Sequence, residues 1–261
     1  MGFGRTYAVM ANDLSEVFSS RAIYMPMIAV PSFFAVLLPF LTFYISTYNI
    51  GGIASRILGG AGSIAAGSGG LNGPLFMAYF TVYVLGPIFM TMPIFTATVI
   101  AADSFAGEKE RKTSEALLST PITITELLAG KMAASFIPAV ALTAMVFLIY
   151  GGVTDYLSVT AFHAYVLPNL SWLLMIALSP FLSLAAIGVV VLVSAHVKGI
   201  KEAQQISSLL ILPVLVLPFA SILGIADLTP LFFAQMLAAL VLLDVAVVYL
   251  GIRSFRKEAI L

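Results

Sequence analysis

The sequence predicts an all-α polytopic integral membrane protein with six transmembrane helices, and three observations carry that reading. Hydrophobic residues make up 61% of the chain and charged residues 9%, with a mean hydropathy of +1.09; soluble domains are far more polar. The charges are gathered into short segments, and the stretches between them are apolar runs of about 20 residues, the length a helix needs to cross a bilayer core. With the N-terminus inside, the inner segments hold eleven of the twelve Lys and Arg and the outer loops hold only Arg56. This positive-inside asymmetry places both termini in the cytoplasm. Residues 1–261 read as a single membrane domain.

Taken in order, residues 3–20 place Phe3, Tyr7, Met10, Leu14 and Val17/Phe18 at helical spacing, with Arg5, Asn12, Asp13 and Glu16 elsewhere on the wheel. Such a helix is too polar to span and is expected to lie along the membrane surface. No cleavable signal is expected here, because no apolar core precedes a small-residue cleavage site. Span one covers about 22–45 and contains Pro26, Pro31 and Pro39, which predict a kinked helix packed against protein. Residues 48–73 are rich in Gly, Ser and Ala and read as a flexible outer loop.

Span two, about 75–102, carries Pro87 and Pro93. The segment 103–131 follows, with four of the twelve basic and five of the twelve acidic residues, so it must sit in water. Its spacing predicts a short helix over about 108–119, with Glu108–Lys112 and Arg111–Glu115 at i,i+4 and a stop at Pro121. Thr123 and Glu126 form a predicted capping box that opens the next helix. Span three is about 132–150, and 151–170 reads as a loop with Asp155 and His163. Span four, about 171–195, begins at Trp172, an expected interface anchor. A charged turn with Lys198, Lys201 and Glu202 precedes span five, about 206–225. Span six, about 231–251, ends in a basic tail.

The chain carries little chemistry of its own. It has no cysteine and two separated His, which leaves no thiolate, disulfide or Cys-ligated metal. There is no G-x-x-x-x-G-K-[ST], since Gly130-Lys131 is followed by Met; nor is there an H-E-x-x-H or G-x-S-x-G. No enzymatic activity and no bound cofactor are therefore expected, and the neutral charge balance gives no basic face for nucleic acid. Asp244 is the one acid well inside a span. It is a candidate for the translocation path by default, or an acid bonded to Ser or Thr on a neighbouring helix.

The pattern of Glu110, Arg111, Thr113, Glu115, Leu117, Leu118 and Pro121, followed by Glu126, Gly130 and Lys131, resembles the cytoplasmic segment between the second and third spans of ABC-2 type transporter permeases. Ser194, a basic residue at Lys198 or Lys201, and Ala203-Gln204-Gln205 resemble the family's link between spans four and five. Phe255-Arg256-Lys257-Glu258 resembles its basic tail. The resemblance implies a permease subunit of an ATP-driven exporter that works as a dimer with itself or a paralogue. ATP and Mg would be held by a separate ATP-binding cassette subunit. Docking on that subunit would fall to Glu108, Glu110, Arg111, Lys112, Thr113, Glu115, Leu117, Leu118 and Pro121, acting as a coupling helix, with Lys198 and Lys201 as a second contact. The surface helix is implied too, and the expected location is a prokaryotic plasma membrane. The alternatives are an ion-coupled secondary transporter, which would need more intramembrane charge than Asp244, and a non-transporting scaffold with a permease-like fold.

Overall fold

The computed structural model describes residues 3–47, 77–111, 122–194, 196–197, 199–223, 225 and 228–258. Among the described residues the regular elements are all helical: α1 (Phe3–Ser19), α2 (Arg21–Thr47), α3 (Met77–Glu110), α4 (Ile124–Phe162), α5 (Leu170–Ser194), α6 (Ile200–Ser208), α7 (Ile211–Ile222) and α8 (Pro230–Glu258). Five stretches among them are long and apolar enough to cross a membrane: Met27–Thr47, Met77–Glu110, Thr125–Phe162, Leu170–Ser194 and Ile200–Ile222. The expected sixth span falls within α8, whose described side chains form a shorter apolar stretch, Pro230–Ala246.

Helices α3 and α5 form the centre. Helix α5 packs on α8, α3 and α4, while α4 also packs on α2 and α1. Ile94, Ile100, Met175 and Ile187 are buried in this core. The outer helices instead expose apolar side chains, such as Phe33 and Phe40 on α2 and Leu212, Val216 and Phe219 on α7. That arrangement suits a lipid surround, where apolar groups on the outside cost nothing.

Proline shapes α3 as the sequence suggests. Residue Pro87 has no N–H and crowds the carbonyl four residues earlier. The chain responds with a π-helical segment, Phe80–Leu85, closed by Gly86 N–H donating to the Thr81 carbonyl, which widens the turn ahead of the proline. Helix α2, by contrast, continues through Pro31 and Pro39.

Several boundaries differ from expectation. Residues 103–110, read as the start of a water-exposed segment, are the last two turns of α3. Helix α4 continues past 150 to Phe162 and stops at His163, which adopts a left-handed conformation with φ 54. Asp155, assigned to a loop, is therefore helical. Its carboxylate accepts the Val166 and Leu167 N–H groups at 3.0 and 2.9 Å, folding the returning chain onto α4. Trp172 is no lipid-facing anchor. It is 4% exposed and its ring lies 4.7 Å from Phe147 and 5.4 Å from Tyr150, with Phe89 of α3 4.5 Å from Tyr150. Aromatic packing at these distances joins α3, α4 and α5. Span five begins earlier than expected, at Ile200, and bends at residues 209–210.

Helix α1 is present but turned about its axis from the expected pose. Val9, Asp13 and Val17, at four-residue spacing, form its buried face. Tyr7 and Phe18 remain exposed, Met10 and Leu14 are half-buried, and the Phe3 side chain lies outside the described residues. The contact is with the start of α4. A Cβ on Gly130 would lie 2.9 Å from the Thr6 carbonyl oxygen and from Val9 side-chain atoms, so only glycine permits this approach.

Candidate functional site

The capping box opens α4 as predicted. Glu126 N–H donates to Thr123 Oγ1 at 3.3 Å and Thr123 N–H donates to Glu126 Oε2 at 3.1 Å. Two N-terminal N–H groups are thereby satisfied, which fixes where α4 begins and so where Lys131 sits, two turns further on.

Lys131 is 2% exposed. Its Nζ donates to Glu108 Oε1 at 2.6 Å, to the Ser104 carbonyl at 2.7 Å and to Ser104 Oγ at 3.2 Å. An ammonium has three N–H bonds, and all three find acceptors on α3. The Ser104 hydroxyl donates in turn to Asp13 Oδ2 at 2.6 Å, and that same oxygen lies 3.7 Å from Lys131 Nζ. A buried charge is tolerable only when paired and fully hydrogen-bonded. Here one cation meets two acids, and three helices, α1, α3 and α4, share the arrangement.

Arg111, at the end of α3, pairs with Glu16 of α1 at 2.6 Å and with Asp103 at 2.7 Å. The Asp103 charge is the main cause that raises the Arg111 pKa above its ordinary value, with hydrogen bonding and charge from Glu16 assisting. The Arg111 and Glu16 side chains are about half exposed, at 46% and 53%, so solvent weakens this pair relative to the Lys131 cluster.

The two residues before Arg111 hold the turn between α5 and α6. Lys109 Nζ donates to the Val197 carbonyl at 3.1 Å and contacts the Ser194 carbonyl at 3.5 Å. Glu110 Oε2 accepts the Ile200 N–H at 3.0 Å. A cation thus caps the C-terminal end of α5 and an anion the N-terminal end of α6, each matching the local helix dipole. A Cβ on Gly199 would approach Glu110 Oε2 to 2.9 Å, so the absence of a side chain there admits the carboxylate. The last turns of α3 are a joint that grips α1, α4, α5 and α6 together.

Of the residues predicted to dock a partner, the structure brings Glu108, Glu110 and Arg111 together, each bonded within the chain. Lys112, Thr113, Glu115, Leu117, Leu118, Pro121 and Lys198 lie outside the described residues, as do all but the first residues of the helix expected over about 108–119 and one partner of each of its two ion pairs. Lys201 follows Ile200 on α6 and is exposed, on a groove of about 420 Å³ between α3 and α6. Asp244 is elsewhere again, 6% exposed on the face of α8 that packs against α5. Neither carboxylate oxygen has a hydrogen-bond partner among the described residues, so the bond to a Ser or Thr of a neighbouring helix is not found there. Near it, α3, α5, α7 and α8 enclose an apolar cavity of about 350 Å³. No group of three or more potential metal ligands occurs among the described residues.

Sequence reasoning missed Asp13, Ser104 and Lys109. For Asp13 a signal existed: it falls midway between Val9 and Val17 at four-residue spacing, on a face more regular than the one chosen. Ser104 and Lys109 gave none, because their partners are 91 and 88 residues away in sequence.

Comparison with known proteins agrees with the helical architecture. A stretch of 139 residues, 50% of this chain, is 36% identical to the ABC transporter permease protein NatB of Bacillus subtilis (strain 168), and the match spans 35% of that protein's length. Residues 2–250 match the family described as ABC-2 family transporter protein. With nearly its whole length inside that match, and with apolar membrane-crossing helices around a charged joint, the chain is a multi-pass membrane protein that belongs to the ABC-2 transporter family.

Proposed function

We propose that this chain is the membrane-spanning permease subunit of an ATP-driven exporter in a bacterial plasma membrane. In this reading α8 is the sixth span, both termini are cytoplasmic, and α1 lies at the inner surface with Tyr7 and Phe18 toward lipid. Two copies, or this chain and a paralogue, form the path. ATP and Mg are held by separate ATP-binding cassette subunits, which dock on the segment around Lys112, Thr113, Glu115, Leu117, Leu118 and Pro121, with Lys198 nearby. The chain itself catalyses nothing.

The observation that carries this reading is the joint at the end of α3. A push on residues 112–121 arrives first at Arg111 and at the start of α4. Lys131 ties α4 to α3, so the two helices flanking the segment move as one body. Glu110 and Lys109 pass the same displacement to the α5–α6 turn, and Arg111 passes it to α1. Movement of a docked subunit would reach four helices without a separate linkage.

The test is co-purification of the full chain with ATP-binding subunits from its native membrane, beside Glu115→Lys and Lys131→Met. The expected result is an associated ATPase whose recovery falls in Glu115→Lys. In Lys131→Met the ATPase still associates, but transport falls further than hydrolysis. Asp244, whose carboxylate has no hydrogen-bond partner among the described residues, is the observation that favours an ion-coupled carrier instead. Transport driven by an ion gradient with no ATPase associated, and lost in Asp244→Asn, would replace the export reading.

A further inference from the structure

The groove between α3 and α6 has a polarity order of its own. Lys201 stands at the end of the groove nearest the joint, directly after Ile200, whose N–H is held by Glu110. Gln204 and Gln205 lie one turn deeper and Ser208 two turns deeper, on the same side of α6. Ile211 and Phe95 close the inner end. From Lys201 to Ser208 is about 10 Å along a helix at 1.5 Å per residue. Charge, then amides, then a hydroxyl, then hydrocarbon is the sequence of groups met on entering a leaflet from its aqueous side.

Local structure does not account for the cation. Lys201 is the second residue of α6, where the helix dipole disfavours positive charge, and no acid lines the groove among the described residues. The side-chain amides of Gln204 and Gln205 can donate hydrogen bonds, while the Ser208 hydroxyl donates to the Gln205 carbonyl at 2.8 Å, so the wall offers amide donors beside a positive mouth. With about 420 Å³ of space and 48% of Phe95 exposed beside it, the groove has room for a headgroup and the first part of a chain.

We propose that this groove binds an anionic amphipath, a phosphate or carboxylate headgroup held at Lys201 by Gln204 and Gln205, with its acyl chain running past Ser208 to Phe95 and Ile211. As a binding site it stands on the groove alone. As the class of cargo it rests on the export reading, with the amphipath entering from the inner leaflet.

The binding test uses the purified full chain and native mass spectrometry, with phosphatidylglycerol and phosphatidylcholine of identical chains and, separately, glycerol phosphate. The chain is expected to prefer phosphatidylglycerol by about fivefold, the factor one interfacial basic residue contributes toward an anionic lipid. Lys201→Gln removes the preference, Lys201→Arg keeps it, and Ser208→Trp lowers occupancy by both lipids. An unchanged preference in Lys201→Gln overturns the site. Displacement of the lipid by glycerol phosphate at equal concentration overturns the amphipath in favour of a soluble anion. None of these readings needs an ATPase, so they are independent of the export proposal. For the cargo, a short-chain anionic amphipath should stimulate hydrolysis by the co-purified complex while its zwitterionic homologue does not; equal stimulation by both removes the cargo assignment.

Discussion

Replacement of Lys131 by Met tests the joint most directly. The side chain is nearly the same length, so packing is preserved while the ammonium is lost. Glu108, at 2.6 Å, and Asp13, at 3.7 Å, would then face each other with no cation between them. Removing one partner of a buried pair costs about 3–5 kcal/mol because it strands the other charge. Part of that cost is avoided here because the Glu108 side chain is 22% exposed and can turn to water, so about 3 kcal/mol is the expected loss. Glu108→Gln leaves Asp13 and Ser104 around Lys131 and should cost about 1.5–2 kcal/mol, the lower part of the range for one charged hydrogen bond. The double variant strands one carboxylate fewer than Lys131→Met and should cost less than the sum of the single changes, a coupling of about 1–2 kcal/mol. Equilibrium unfolding in mixed micelles measures all three. A loss under about 0.5 kcal/mol for Lys131→Met, typical of exposed surface sites, would refute the reasoning.

Two further perturbations reach separate parts of the fold. Gly130→Leu forces a Cβ to within 2.9 Å of the Thr6 carbonyl, and overpacking of this kind costs about 1–3 kcal/mol. It should lift α1 off α4, read as faster proteolysis within residues 3–19, while the α3–α5 core stays folded; unchanged proteolysis would place α1 elsewhere. Asp244→Leu removes two buried acceptors that have no partner among the described residues, an arrangement that costs about 1–3 kcal/mol. The expected outcome is a higher melting temperature in detergent, and a lower one would show that the carboxyl makes a stabilising contact in the assembled protein.

The elements whose causes are local were the most legible. Apolar runs mark five membrane-crossing helices because every backbone group in such a run must be satisfied within the helix. The Thr123–Glu126 box was readable because both of its hydrogen bonds span three residues. Pro87 stands in the sequence of α3, but nothing local to it tells that a π-helical segment, Phe80–Leu85, absorbs it. Residues 103–110 were harder. Their charges argue for water and a new element, but a charged stretch also extends a helix when its partners lie on neighbouring helices. Glu108 and Arg111 had obvious local partners in sequence, and each has a distant one in the fold.

Composition, the length of the apolar runs and the charge asymmetry by themselves determined that this is a helical membrane protein, because those features record the surrounding solvent residue by residue; the resemblance to ABC-2 permeases came from the motif around Glu110 to Lys131. Only the tertiary structure decided what the charges at the end of α3 do. Lys131 meets Asp13 only when α1 lies across α4, and Lys109 meets the end of α5 only when α3 and α5 pack side by side. Ion pairing needs approach within about 4 Å, and approach across such distances in sequence is a property of the packed helices.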